Sequence, residues 1–411
     1  MTTVAIIGGG LIGSAAAVWL AADGFDVTLF ERDLEGRPAS TGNAGVLSLP
    51  EITPLARPGT LTQIPGWMLD PLGPLSLRVR DLPQLAPWLA RFLASSRPSQ
   101  VERGTRALGT LMKTALADHQ ELVRRAGLDV YMRRTGSLYL YDSEAGYRAS
   151  LAEWKERARH GVDYRELTPA EAMDMVPALK GGFVRALVAP EAWMVTSPLS
   201  VLLALRAAVA ARGAVRSATI TAVRPEGEQV AVVAADGTAT KFDRVLVAGG
   251  VWSRDLVRGL GLSVHLETER GYNTTFREPG FEIPMPLFFS AEGFVATPLQ
   301  DGLRVGGAVE LAAVDAPPNF ARAAAMRKKA RRYLPDLPET GGVEWMGRRP
   351  STPDSLPVIG PHPRDPRIVF AFGHGHLGLT LSAVTARHVA GLVAGRPRDR
   401  NLEVFGIERF Q

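Results

Sequence analysis

The chain contains no cysteine in 411 residues. That absence excludes a disulfide framework, thiolate zinc sites, iron–sulfur clusters and a catalytic thiol together. Histidine is sparse as well, with seven residues. His119, His160, His265, His362 and His388 are scattered without metal-ligand spacing, so no metal site is expected. Lysine is scarcer still, six of the 47 basic residues, and arginine therefore carries the net charge of +5. In a chain this rich in alanine, that bias reads as genome composition rather than nucleic-acid binding. No G-x-S-x-G, P-loop or helical H-E-x-x-H is present.

What is present is an ordinary soluble composition, 46% apolar and 22% charged, in a length that suits two domains. The 42 glycines and 30 prolines are dispersed without period and mark turns. The dense run Arg327-Lys328-Lys329-Ala330-Arg331-Arg332 is read as a solvated helix face, with attraction to an anionic membrane as the alternative. Val4 to Ala22 is apolar for about the length of a signal peptide, but no basic residues precede it. Gly8, Gly9, Gly10 and Gly13 would also break an inserted helix. A strand, a turn and a helix explain it better. The expected location is cytoplasmic, with peripheral contact at the inner membrane face left open.

The chain opens with a β-branched strand over Thr3–Ile7, a helix from Ser14 to Ala22 and a second strand over Asp26–Phe30, which together make one βαβ unit. Prolines crowd residues 37–88, where Trp67 and Trp88 suit a substrate lid, a quinone-facing surface or plain packing. Helices are expected over 100–126, 144–160, 197–212 and 319–333. A strand pair is expected at Val130–Met132 and Ser137–Tyr141, and a strand over Ser217–Val223. A hairpin should join Val230–Ala234 to Arg244–Ala248, and 264–310 alternates like antiparallel strands. The end reads as strand Ile368–Ala371, a glycine turn and a helix from Leu377 to Ala394.

Gly8-Gly9-Gly10-Leu11-Ile12-Gly13 fits G-x-G-x-x-G between a strand and a helix, and Glu31 follows eighteen residues after Gly13. The glycines permit a tight turn, close approach of a diphosphate and close helix–strand packing. The diphosphate then meets free N–H groups at a helix start, and the acid can accept from a ribose. The fingerprint alone does not separate NAD from FAD.

Three further segments carry a resemblance. They are Ser40-Thr41-Gly42-Asn43-Ala44-Gly45-Val46, then Ala248-Gly249-Gly250-Val251-Trp252-Ser253, then Gly347-Arg348-Arg349-Pro350-Ser351-Thr352-Pro353-Asp354 with Gly373-His374-Gly375-His376-Leu377-Gly378. In this order, from residue 2 to about 396, the chain resembles the FAD-dependent D-amino-acid dehydrogenase and glycine oxidase family. It is nearest to bacterial D-amino-acid dehydrogenases, including those acting on hydroxy-D-proline.

The resemblance implies non-covalent FAD, held by Gly8, Gly10, Leu11, Ile12, Gly13, Glu31 and Arg32 at its diphosphate and ribose. Thr41, Asn43, Ala44, Gly45 and Val46 would lie along the flavin ring, and Ile220 near adenine. Ala248, Gly249 and Trp252 would pass beside the diphosphate. His376, Leu377, Gly378, Leu379 and Thr380 would start a helix that stabilises a reduced, anionic flavin edge. Arg349, before the proline, would pair with the substrate carboxylate through its planar fork. Arg348 departs from the family pattern, which has an apolar residue there. Tyr272 is the candidate second carboxylate contact, and His376 a catalytic candidate at the flavin.

The fold class expected is α/β. A doubly wound FAD-binding domain would be assembled from 1–85, 196–262 and 342–411, and 86–195 with 263–341 would form a second α+β domain on an antiparallel sheet. The reaction implied is hydride transfer from Cα of a D-amino or D-imino acid to flavin N5, giving an imino acid that hydrolyses to the oxo acid. Oxygen and a quinone remain open as electron acceptors. A glycine or sarcosine type of amine oxidase and a non-catalytic binding protein of the same fold are the rival readings.

Overall fold

The computed structural model describes residues 1–58, 72, 73 and 75–411. Thr3–Ile7 is a strand with both faces covered, and its side chains alternate between two cores. Val4 and Ile6 enter one, Ala5 and Ile7 the other. It sits inside a six-stranded sheet of order Ala214–Ser217, Asp26–Glu31, Thr3–Ile7, Arg244–Val247, Asp365–Phe372, Val358–His362. The first five strands run parallel, and Val358–His362 returns antiparallel.

Helices Leu11–Ala22, Pro98–Ala126, Pro198–Ala210 and Ser382–Val393 share the core on one face. The other face is covered by a small antiparallel sheet of Ile220–Glu226, Gln229–Ala234 and Ala239–Phe242. Here the expected hairpin is corrected. Gln229–Ala234 pairs with Ala239–Phe242, while Arg244–Val247 runs parallel to Thr3–Ile7. The continuous apolar run RVLV suits a central parallel strand, and the polar ATKF an edge.

The second large sheet has the path Val343–Ser351, Glu267–Phe276, Gly302–Ala312, Phe294–Leu299, Leu287–Phe289, Ser137–Tyr141, Arg185–Ala189, Arg165–Leu167, and Leu75–Leu77 pairs beside Gly302–Ala312. The expected pairing near residue 130 is also corrected. Met132–Arg134 pairs with Trp193–Val195, whereas Ser137–Tyr141 pairs with Arg185–Ala189.

Two assignments of segments to domains change as well. Val343–Ser351 belongs to the second sheet, so the return to the first unit comes after it. Pro98–Ala126 buries Ala107, Leu108, Leu111 and Ala115 in the core of the first unit. Its apolar stripe recurs at helical spacing and needs a partner helix, which Leu11–Ala22 and Ser382–Val393 supply.

Trp67 of the proline-rich stretch lies outside the described residues. Trp88 sits on helix Leu82–Ser95, is buried, stacks on Phe92 at 5.1 Å and donates Nε1–H to the Ser351 carbonyl at 3.2 Å. The basic run is mostly neutralised locally. Arg327 pairs with Glu344, Lys329 and Arg332 with Glu292, and Arg331 with Glu339. Among the described residues no helix is long and apolar enough to cross a membrane.

Candidate active site

The first glycine turn sits at the carboxyl end of the parallel sheet, where such sheets place ligands. Gly8 has φ +108°, and its N–H donates to the Phe30 carbonyl at 2.8 Å. A side chain there would collide with the backbone of Ala248, and one at Gly13 with the Gly8 carbonyl. The start of helix Leu11–Ala22 is thereby pressed against the ends of two strands, with Gly10 as its N-cap and Ile12 in its first turn. Glu31 accepts from the Gly9 N–H at 2.8 Å and faces Arg206 Nη2 at 3.6 Å. Ala218 N–H donates to the Glu31 carbonyl at 2.9 Å, which brings the strand beginning at Ile220 alongside. The Arg32 guanidinium lies 3.2 Å above the Trp252 ring, a cation–π contact between two expected cofactor residues.

The second segment, Thr41 to Gly45, faces the other sheet across a small cavity. Its wall includes Gly42, Ala44, Gly271, Thr297, Trp345 and Arg349. The loop holds itself, as Asn43 donates to the Ser40 carbonyl at 2.6 Å and accepts from Gly45 N–H at 2.8 Å. It is also held from across the cavity. Asn273 Nδ2 donates to the Gly42 carbonyl at 2.9 Å, and Arg304 Nη1 to the carbonyls of Thr41 and Asn43 at 3.2 and 2.8 Å. Val46 and Leu47 then pair with Met194 and Trp193, and Ser48 N–H donates to Thr380 Oγ1 at 2.9 Å. His119 Nε2 lies 3.0 and 3.1 Å from the carbonyls of Leu379 and Thr380, so it carries the proton there. Desolvation holds that imidazole below its ordinary pKa.

Arg349 and Arg348 part company. Glu267–Phe276 and Val343–Ser351 are antiparallel neighbours in which Glu269 faces Arg349 and Arg270 faces Arg348. Cross-strand partners share a face. The guanidinium of Arg349 packs directly over Gly271, whose missing side chain makes the room. Burial lowers its pKa, with Glu269 opposing. Arg348 instead donates Nε–H to the Val314 carbonyl at 2.7 Å.

Tyr272 is engaged by other groups at this site. It touches the cavity wall, but its hydroxyl donates to Glu310 at 2.5 Å and accepts from Asn319 N–H at 3.0 Å. Being next to Gly271 in the strand, it points to the opposite face and already has its partners. The helix start is corrected. Gly375–Leu377 is a 3₁₀ turn, and the α-helix begins at Ser382. Gly378, Leu379 and Thr380 therefore bridge the two. His376 is exposed and lies within electrostatic range of Glu269, Arg349 and Arg57. His374 is buried on Thr385 Oγ1 at 3.0 Å, with its pKa pushed down to about 3.

A family model described as FAD dependent oxidoreductase matches residues 3–392. The chain belongs to that family. It is an FAD-dependent oxidoreductase, and the glycine cradle with its helix start is chemically suited to the cofactor's diphosphate. The chain is 35% identical to the D-amino-acid oxidase of Bradyrhizobium diazoefficiens, over 99% of this chain and 98% of that protein. It is 31% identical to the D-amino acid dehydrogenase of Paramagnetospirillum magneticum, with the same coverage of 99% and 98%. The fold is that of glycine oxidase from Geobacillus kaustophilus, at TM-score 0.76, 24% identity and 99% coverage of both chains. Iminodiacetate oxidase from Chelativorans sp. BNC1 follows at TM-score 0.75, 19% identity and 98% coverage of both.

Position by position, the chain brings the expected cofactor residues to two places. Gly8, Gly10, Leu11, Gly13, Glu31 and Arg32 gather at the carboxyl end of the parallel sheet, Gly42 and Ala44 of the second segment line the cavity, and Thr380 is tied to the chain just after that segment through Ser48. Arg206, Arg304, Asn273, His119 and Glu269 were missed. Arg206 and Arg304 are lone charges in apolar or strand-like stretches, which is the signal that could have singled them out, whereas His119, Glu269 and Asn273 stand among other polar residues and carry none.

Proposed function

We propose that the chain oxidises the Cα–N bond of a D-amino or D-imino acid bearing a free carboxylate. The observation that carries this reading is Arg349. Its guanidinium lines the cavity, half-buried, with no hydrogen bond or ion pair among the described residues. A cation withdrawn from water without a partner is unfavourable, and a carboxylate offering two parallel acceptors relieves it.

The relatives named D-amino-acid oxidase and D-amino acid dehydrogenase support the D series. Small wall residues, Gly42, Ala44, Gly271 and Gly306, suit a compact or cyclic side chain such as D-proline or hydroxy-D-proline. The same small walls favour a second reading, a glycine or sarcosine type of amine oxidase.

Bound FAD supplies the acceptor for the hydride that leaves Cα. The chain supplies position. Arg349 fixes the carboxylate on the sheet, while Arg304 and Asn273 fix the cofactor loop against that same sheet. The distance between substrate and cofactor is then set by two interlocked elements rather than by one flexible loop.

Anaerobic bleaching of the flavin across D-amino acids, their L-enantiomers, glycine, sarcosine and the decarboxylated amines tests the reading. Bleaching by D-proline or another compact D-amino acid, and not by its decarboxylated amine, is expected. Equal bleaching by acid and amine would remove the carboxylate requirement, and preference for the L-series would remove the stereochemical one. Reoxidation of the bleached protein by air or by a soluble quinone then identifies the electron acceptor.

A further inference from the structure

We propose that Glu269 recognises the amino group of the substrate and accepts its proton. The inference rests on the amino-acid reading above and adds the residue that makes the site specific for an amine.

Glu269 is 2% exposed and stands opposite Arg349 in the register of the two strands, so both side chains occupy the cavity-side face. One of its oxygens is taken, because the Ser351 hydroxyl donates to Oε1. The other, Oε2, is buried without a hydrogen-bond partner among the described residues. Buried carboxylate oxygens are mostly satisfied, and an orphan on the strand face it shares with the cavity-lining Arg349 is open to a group that a ligand brings. Arg349 does not fill the role. Glu269 acts on it electrostatically, yet no ion pair closes between them among the described residues.

Two open valences of opposite sign therefore lie side by side on one face. An α-amino acid carries the matching pair on a single carbon, with its carboxylate for Arg349 and its ammonium for Glu269 Oε2. A hydroxy acid or a simple carboxylic acid satisfies only the first.

The proton step follows from the same geometry. Hydride leaves Cα readily only when the nitrogen lone pair is free. One N–H bond of the ammonium breaks, the electron pair stays on nitrogen, and the proton forms an O–H bond at Oε2. Nothing is oxidised or reduced in this step. Among the described residues, the charged and titratable groups around Glu269 are Arg349 from the neighbouring strand and His376 from the turn Gly375–Leu377, with Arg57 in electrostatic range of His376; the strand on its other side places Leu311 opposite.

A bystander role predicts something different. If Glu269 only offsets the charge of Arg349, its removal alters every carboxylate ligand alike. The test uses FAD-loaded wild type, Glu269→Gln and Glu269→Asp. For each, propionate binding is titrated by the shift in flavin absorbance, and anaerobic reduction by D-alanine is followed against pH.

Glu269→Gln should bind propionate as tightly as wild type or tighter. It should lose at least about tenfold in D-alanine reduction at neutral pH, the scale of one hydrogen bond to a charged group. That loss should shrink as pH rises towards the amino group's own pKa, where solution supplies free amine. Glu269→Asp keeps the charge but withdraws the oxygen by one methylene, so it should spare propionate and impair D-alanine. It also serves if the Gln variant fails to fold. Equal effects on the two ligands, or none on either, would overturn the proposal while leaving the amino-acid reading intact. A wild-type flavin bleached by no amino acid at all would overturn both.

Discussion

Arg206 donates Nε–H to the Gly9 carbonyl at 2.9 Å, across 197 residues of chain. The same guanidinium reaches the Leu34 carbonyl at 2.9 Å and faces Glu31, so one buried side chain braces the glycine turn and Glu31 together. Arg206→Met would remove the guanidinium's hydrogen bonds to the Gly9 and Leu34 carbonyls and the cation that faces Glu31. Breaking a buried charged contact by removing one partner costs about 3–5 kcal/mol. Thermal unfolding of the apo protein should therefore shift down sharply, and added FAD should recover part of the loss by mass action. A variant within about 0.5 kcal/mol of wild type would remove Arg206 from this account.

The FAD should be non-covalent. Cysteine is absent, and two of the histidines near the cofactor loops are engaged elsewhere, His374 with Thr385 and His119 with the carbonyls of Leu379 and Thr380. Acid precipitation of the purified protein should release the yellow colour into the supernatant. Colour that stays in the pellet would point to a covalent link, with His376 the first residue to examine.

The glycine fingerprint and the Gly-Arg-Arg-Pro segment could be read in the sequence because each is a short, local solution to a local problem. Gly8 needs its positive φ whatever lies around it, and adjacent residues in a strand must part to opposite faces. The face that Tyr272 presents could not be read because it depends on register. Only the pairing of Glu269 with Arg349 reveals that the cavity side of that strand is the one carrying Gly271. Register is set by partners far away in sequence, and the ten residues of Glu267–Phe276 are buried on both faces, which erases the alternation that would have betrayed it. Arg304 and Asn273 were hidden for the same reason, since their acceptors lie more than 200 residues away.

Acid should weaken the fold through His374. Its pKa is about 3 when folded, against an ordinary 6.5. Between those values the unfolded chain binds the proton and the folded chain does not, so stability is full above about 6.5 and falls as pH drops towards 3. The slope from one such group reaches about 1.4 kcal/mol per pH unit inside the window. His388, lowered to about 4, acts in the same direction. Urea unfolding at pH 7 and pH 5 should show a clear loss in wild type and a smaller one in His374→Asn. Identical losses in the two proteins would place the acid sensitivity elsewhere.

Arg349 should matter far more to substrate capture than Arg348. Arg349 lines the cavity over Gly271 beside Glu269, whereas Arg348 spends its Nε–H on the Val314 carbonyl from the opposite face of the strand. Removing one partner of a buried, hydrogen-bonded charge pair typically costs about 2–5 kcal/mol. Arg349→Ala should thus lower kcat/KM by roughly 30-fold to several thousand-fold. Arg348→Ala loses one hydrogen bond to a backbone carbonyl and a half-buried charge, which should cost less than about tenfold. Both variants should keep FAD, because the glycine turn, Glu31 and the Thr41–Gly45 loop are held without either arginine. Anaerobic reduction of the two variants by the preferred amino acid decides between them. Equal losses, or a larger loss at Arg348, would mean that the substrate enters from the other face of the sheet.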